Sequence, residues 1–147
     1  LLRLSEGDIT MREFLNTKSV QMLAPAATLT GATNSSSVDT KGWGLAEIIM
    51  TYGAITGDAT VLKLQESDDD SAWSDVTGGG FTTPPTGTDD NKLDSFFVDT
   101  RGLKRYLRVV FTPDTNAFTA IVGKLYHPEE GPDTAAERGL RAQLFVN

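Results

Sequence analysis

The chain has 147 residues, no cysteine, 39% hydrophobic residues and a formal net charge of −7. This length and apolar content suit one domain with its own core, and the missing cysteine excludes disulfides, a thiolate nucleophile, zinc–thiolate sites and iron–sulfur clusters. The acidic balance argues against nucleic acid or an anionic membrane as partner, because both need clustered Lys and Arg. No apolar run reaches the roughly 20 residues that span a bilayer, and Leu1-Leu2-Arg3-Leu4 lacks a basic region followed by an apolar stretch, so neither a membrane segment nor a targeting signal is expected.

Thr10-Met11-Arg12-Glu13 has capping-box spacing, with Ile9 and Phe14 at staple positions, which predicts a helix from Met11 to about Asn16 behind an extended arm. From Ser19 to Thr30 the alternation of Val20, Met22 and Ala24 against Gln21 and Leu23 fits a strand, with Pro25 marking an edge or bulge. Gly31 to Ser37 is a polar loop. Trp43 to Ile55 is a nearly continuous apolar run that predicts a strand buried on both faces. Thr56-Gly57-Asp58 then supplies a turn into the alternating strand Thr60 to Ser67, and the two strands are expected to form a hairpin.

After the acidic turn Ser67-Asp68-Asp69-Asp70-Ser71, Trp73 is placed as a core anchor in a short strand that Gly78-Gly79-Gly80 ends. Residues 77–92 are expected to form a long loop of the kind that carries function. Ser95 to Asp99 and Arg105 to Thr112 read as strands around an Arg101-Gly102-Leu103 turn, and Ala117 to Tyr126 reads as the last long strand. Past His127, Pro128 and Gly131-Pro132 break the strand. Thr134 to Glu137 repeats the capping-box spacing before a short helix and the apolar end Leu144-Phe145-Val146.

The expected fold class is therefore all-β: an antiparallel β-sandwich, jelly-roll or Ig-like, of about seven to eight strands with terminal arms and short terminal helices. Its divisions are an N-terminal arm at 1–17, the sandwich at 18–126 and a C-terminal arm at 127–147.

No constellation for catalysis emerges. His127 is the single histidine, it sits at a strand end with no Cys to activate, and no Gly-x-Ser-x-Gly elbow is present. The acidic groups Glu66, Asp68, Asp69, Asp70, Asp75 and Asp89, Asp90, Asp94 lack the order of a calcium loop and read as solvated turns. Gly78-Gly79-Gly80 has no following Lys-Ser/Thr and no helix start, so it is no phosphate cradle. Arg101, Lys104, Arg105 and Arg108 read as a salt-bridge strip within or between subunits. Trp43, Trp73 and Tyr106 are assigned to packing, with a sugar-binding face as the other reading. A chain that is not an enzyme, with no cofactor, no metal and no small-molecule substrate, is expected.

Five segments, Val38-Asp39-Thr40-Lys41-Gly42-Trp43, Gly53-Ala54-Ile55-Thr56-Gly57, Leu64 to Asp69, Trp73-Ser74-Asp75-Val76 and Lys104 to Val109, together resemble the head decoration or cement proteins of tailed bacteriophages. The resemblance covers roughly residues 18–126. It implies a β-sandwich protomer, often a homotrimer, that clamps the major capsid protein on the outer surface of the virion and stabilises the head without catalytic residues. A phage tail structural protein is the neighbouring alternative. Leu64 to Asp69 through Trp73 and then Arg105 to Val109 also look like discoidin-type carbohydrate-binding modules, from which this chain departs by its lack of Cys and its few loop aromatics.

On the decoration reading, the anchoring contacts are expected in the apolar ends: Leu1, Leu2, Leu4, Ile9, Phe14 and Leu15 at the start, and Leu140, Leu144, Phe145 and Val146 at the finish. Arms that cross onto neighbours bury surface a small protomer cannot, and repetition on a lattice converts modest contacts into avidity.

Overall fold

A computed structural model describes residues 14–25, 28–132 and 134–144. Its strands are β1 (Thr17–Leu23), β2 (Thr33–Asn34), β3 (Val38–Asp39), β4 (Trp43–Ile55), β5 (Val61–Ser67), β6 (Ser74–Gly80), β7 (Leu93–Asp99), β8 (Tyr106–Thr112) and β9 (Ala117–Pro128), with one 3-10 turn at Thr100–Gly102.

Strand side chains alternate between faces, so a strand with one buried face shows burial at every second residue. β8 does so, with Leu107, Val109 and Phe111 buried and the residues between them half-exposed. The buried sets define two layers. One sheet runs β1-β9-β4-β7 and the other β2-β8-β5-β6, with β3 also on β8, and all described strand pairs are antiparallel. Met22, Ile48, Met50, Tyr52, Ile121 and Leu125 of the first sheet meet Leu62, Leu64, Leu107, Val109 and Phe111 of the second in one core. The Tyr52 and Phe111 rings, 6.0 Å apart, link the two layers. The fold is the all-β antiparallel sandwich the sequence implies.

The expected hairpin of β4 and β5 does not form. β4 pairs with β7 and β9, whereas β5 pairs with β6 and β8, so residues 56–60 are a corner between sheets. The corner bonds outward: Thr56 N donates to Asn116 O, Ala59 N to Pro85 O and Thr60 N to Thr112 O. Nor is β4 buried on both faces. Ala46, Ile48, Met50 and Tyr52 are buried, but Leu45 is exposed and Glu47 and Ile49 are half-exposed.

Three other expectations are corrected nearby. Gly78-Gly79-Gly80 continues β6 instead of ending it, and Lys63 pairs with Gly80 across an irregularity. Gly78 has φ +73, and a Cβ on Gly79 would come within 2.8 Å of Val76 Cβ, so the glycines form a bulge inside the strand. Trp73 lies outside the core, half-buried on the outer face of the second sheet. The loop after β6 begins at residue 81 and is pinned down: Ile55 N donates to Asp90 Oδ1 at 2.7 Å, Gly87 N to Asp58 Oδ1 at 3.0 Å and Asn91 N to Gly53 O at 3.2 Å.

At the chain ends, Pro128 falls within β9 and does not break it, and His127 takes φ +56. The capping-box bonds at Thr134 and Glu137 are present: Glu137 N donates to Thr134 Oγ1 and Thr134 N to Glu137 Oε2. They open a single turn rather than a helix, because Gly139 at φ +71 closes it with Gly139 N to Ala136 O and Leu140 N to Ala135 O. This turn docks on β1, where Ser19 N donates to Arg138 O at 2.7 Å. The buried Arg138 guanidinium donates to Leu15 O at 3.0 Å, Gln143 Oε1 at 3.0 Å and Pro132 O at 2.5 Å, tying the two ends of the described chain together. Of the expected N-terminal helix, Phe14 and Leu15 are helical and the rest lies outside the described residues.

Candidate functional site

The two outer faces of the sandwich differ in chemistry. On the second sheet, Arg108 donates twice to Gln65 Oε1 at 3.0 and 2.8 Å, Gln65 Nε2 donates to Asp75 Oδ1 at 2.8 Å, and Lys63 Nζ reaches Asp75 Oδ2 at 2.8 Å. The bonds from Lys63 and Gln65 hold the Asp75 carboxyl below its ordinary range. Arg108 also lies 4.3 Å over the Trp73 ring, which covers the apolar plane with a cation. That face is polar and internally bonded.

The outer face of the first sheet carries the exposed apolar side chains, with a few polar groups between them. The ladder places Tyr126, Leu45 and Asp99 in one row, Lys124, Glu47 and Phe97 in the next, and Val122, Ile49 and Ser95 in the third. Phe97 is 81% exposed and Leu93 66%, with Leu45, Phe118 and Val122 also exposed. Phe118 lies against Gly53, where a Cβ would come within 3.1 Å of its ring, so the glycine lets an aromatic lie over β4. A depression of about 430 Å3 between Leu45, Glu47, Phe97, Tyr126 and His127 lies at one end of this face, where β4 begins and β7 and β9 finish. It shares Tyr126 and His127 with a wider trough of about 820 Å3 whose far wall is Phe14, Asn16 and Gly131.

Charge on this face is held close. Tyr126 donates its hydroxyl to Glu47 Oε2 at 2.8 Å, and Lys124 Nζ lies 5.6 Å over the same ring. Desolvation and that bond to Glu47 push the Tyr126 phenol up to about 12. Such an arrangement offers a flat apolar contact with a few fixed polar points, which suits a macromolecular surface better than a small substrate.

The basic residues expected as a strip are each paired within the chain. Arg101 forks onto Asp99 at 2.8 and 2.6 Å and holds that carboxyl at about 2. Arg105 forks onto Asp39 at 2.9 and 2.7 Å and lies 4.8 Å over Tyr106, while Lys104 Nζ is 3.8 Å from Asp68. With Arg108 on Gln65 and Trp73, the strip is a set of intramolecular contacts.

The acidic groups likewise do structural work. Asp69 accepts from Ala72 N at 2.9 Å, Ser71 N at 3.0 Å and Ser67 Oγ at 2.9 Å, and these bonds, led by the backbone ones, hold its carboxyl far below the usual range. Asp89 sits at about 2 because Lys92 and then Thr86 donate to it. Asp94 accepts from the Tyr52 hydroxyl at 2.9 Å; burial first and this bond second push that phenol strongly up. Among the described residues no group of three His, Asp or Glu side chains is placed to share a metal ion. His127 is exposed on the rim of the trough.

Of the residues expected to anchor a partner, Phe14 is exposed on the trough wall, Leu15 is half-buried at the Arg138 contact, and Leu140 and Leu144 are exposed. Leu1, Leu2, Leu4, Ile9, Phe145 and Val146 lie outside the described residues. Trp43, Trp73 and Tyr106 do not form one face: Trp43 packs against the core from β4, while Trp73 and Tyr106 lie on the outer side of the second sheet, each beneath an arginine. The apolar sheet face was missed by sequence reasoning. Its signal was the Phe96-Phe97 doublet, since adjacent strand residues cannot both enter one core.

Fold and faces together define a two-sheet antiparallel sandwich with one polar and one apolar outer surface. No protein-family model matches the chain, and no curated protein matches it. Among solved structures it is similar to the SPBc2 prophage-derived protein YomS, with 12% identity over 76% of this chain and 93% of that chain and a TM-score of 0.45.

Proposed function

We propose that the chain is a non-enzymatic virion structural protein of a tailed bacteriophage, a head decoration protein that docks on the outer surface of the major capsid protein lattice and stabilises the head. The observation that carries this reading is the asymmetry of the sandwich. One outer face is a closed polar network, while the other exposes Leu45, Leu93, Phe97, Phe118 and Val122 together. Several large apolar side chains exposed on one sheet face of a small domain, with a few polar groups between them, mark a protein contact, and repetition over a lattice multiplies a weak one. The apolar terminal residues, Leu1 to Leu15 and Leu140 to Val146, act as further anchors. Non-enzymatic action is supported by the carboxylates, since Asp69, Asp89, Asp90 and Asp94 each accept structural hydrogen bonds.

The test is co-sedimentation with purified heads that lack the protein. The reading expects saturable binding that Phe97→Asp and Val122→Asp weaken and Arg108→Ala leaves intact. Binding to tails in place of heads would move the protein to the tail, and wild-type occupancy by both Asp variants would sink the assignment of this face.

A further inference from the structure

A sheet edge offers unpaired backbone N–H and C=O groups, and proteins usually block such edges with bulges, breaks, charges or covering segments. Of the four edges of the described sheets, three are blocked. The β1 edge is met by the C-terminal turn through Ser19 N and Arg138 O. The β6 edge is bulged at Gly78 and Gly79. The outer partner of β8 is broken into β2 and β3, each two residues long.

β7 is the exception. It runs seven residues in unbroken register with β4, and the Leu93–Asp99 segment contains neither Pro nor Lys. Of its two carboxylates, Asp94 accepts from the Tyr52 hydroxyl and Asp99 is neutralised by Arg101. The direction of the ladder also fixes which groups are free. Tyr52 N donates to Lys92 O, and Ser95 Oγ reaches Ile48 O, so the even-numbered residues of β4 face β7. By antiparallel alternation Leu93, Ser95 and Phe97 turn their N–H and C=O groups to the open edge.

We propose that β7 joins two copies of this chain: their β7 strands pair antiparallel about a two-fold axis at Ser95, fusing the two four-stranded sheets into one. The side chains are self-complementary for that register. The outer face of β7 reads Leu93, Ser95, Phe97, and pairing about Ser95 sets Phe97 against Leu93 of the partner subunit, twice per dimer. These are the two most exposed large apolar residues of the first sheet, and they become cross-strand neighbours on one face. The free backbone groups of all three residues pair in the same register. A cyclic trimer made by strand addition would need a second open edge to receive β7, and the β1, β6 and β2/β3 edges are occupied or broken. The pairing also makes the two apolar faces continuous, and it holds whatever lattice those faces meet.

The experiment is sedimentation of the full chain, whose mass is 15.8 kDa. A dimer is expected. Phe97→Lys, at a side chain too exposed to matter for folding, should weaken it by about tenfold or more, because the lost pair occurs twice. Ser95→Cys in this cysteine-free chain supplies a second readout. Hydrogen-bonded antiparallel partners have Cα atoms about 5.5 Å apart, with Cβ atoms too far apart for a direct disulfide but within reach of a short thiol–thiol crosslinker. Such a reagent should therefore give a covalent dimer. A monomer or a trimer in sedimentation, a dimer indifferent to Phe97→Lys, or a dimeric Ser95→Cys variant that the short crosslinker leaves unlinked would each overturn the proposal.

Discussion

Replacing Gly139 by Ala should release the C-terminal turn from β1. The residue adopts φ +71, and a Cβ there would lie 1.6 Å from Ser19 O, well inside any permitted contact. The left-handed backbone alone costs an L-residue about 1–2 kcal/mol. The overlap cannot be relieved by a rotamer change, because both atoms are fixed to main chain. The turn must therefore move, and with it goes the Ser19 N–Arg138 O bond, worth about 1 kcal/mol net, together with the seating of the Arg138 guanidinium on Leu15 O and Pro132 O. Charged-donor bonds contribute about 1.5–3 kcal/mol each, reduced where water can replace them, so the loss should total about 3–4 kcal/mol. Urea unfolding monitored by circular dichroism gives the loss, and amide exchange at Ser19 locates it. Gly139→Asn separates the two causes: Asn tolerates the left-handed region but still carries a Cβ, so it should be nearly as damaging as Ala. A Gly139→Ala chain with native Ser19 protection and an unshifted midpoint, or an Asn variant restored to the parent, would refute the docking argument.

Other outcomes follow from the same structure. Phe111→Ala, at a ring 1% exposed beside Tyr52, should cost about 3–5 kcal/mol, whereas Phe97→Ala should shift stability by no more than about 0.5 kcal/mol; paired urea titrations compare them. Tyr126 titrates near 12, above the value of about 10 in an unfolded chain. Its folded pKa is raised, so its contribution is complete below about pH 10 and fades as the pH climbs toward 12; phenolate absorbance and the unfolding midpoint should change together in that window, and Glu47→Gln should bring the titration partway down. Arg108→Ala should uncover the Trp73 ring, shifting its fluorescence to the red at a cost of about 1 kcal/mol or less.

The strands were legible where burial is one-sided. Leu107, Val109 and Phe111 announce β8 by alternation, and the capping-box bonds of Thr134 and Glu137 form as their spacing implies, although a single turn stands where a short helix was expected. Pairing was less legible. The hairpin expectation for β4 and β5 failed because Thr56-Gly57-Asp58 signals a turn but says nothing about which sheet receives the next strand. Both edges of β4 are taken by β7 and β9. Gly78-Gly79-Gly80 read as a terminator because a bulge uses the same residue as a loop. Trp73 was assigned to the core by size, whereas its ring is covered from outside by Arg108, a contact 35 residues away in sequence. The face with the exposed apolar side chains stayed hidden for a related reason. Leu45 and Ile49 look like core residues, and only the sheet they occupy shows that, among the described residues, their side of β4 has no second layer.

The central claim, that the apolar face of the four-stranded sheet is the surface that meets the virion, is tested most directly by imaging heads with the protein bound. The account predicts Leu45, Phe97 and Val122 against the major capsid protein, with the Arg108–Trp73 face toward solvent. The reverse orientation, or a protein seated through the polar sheet, would contradict it.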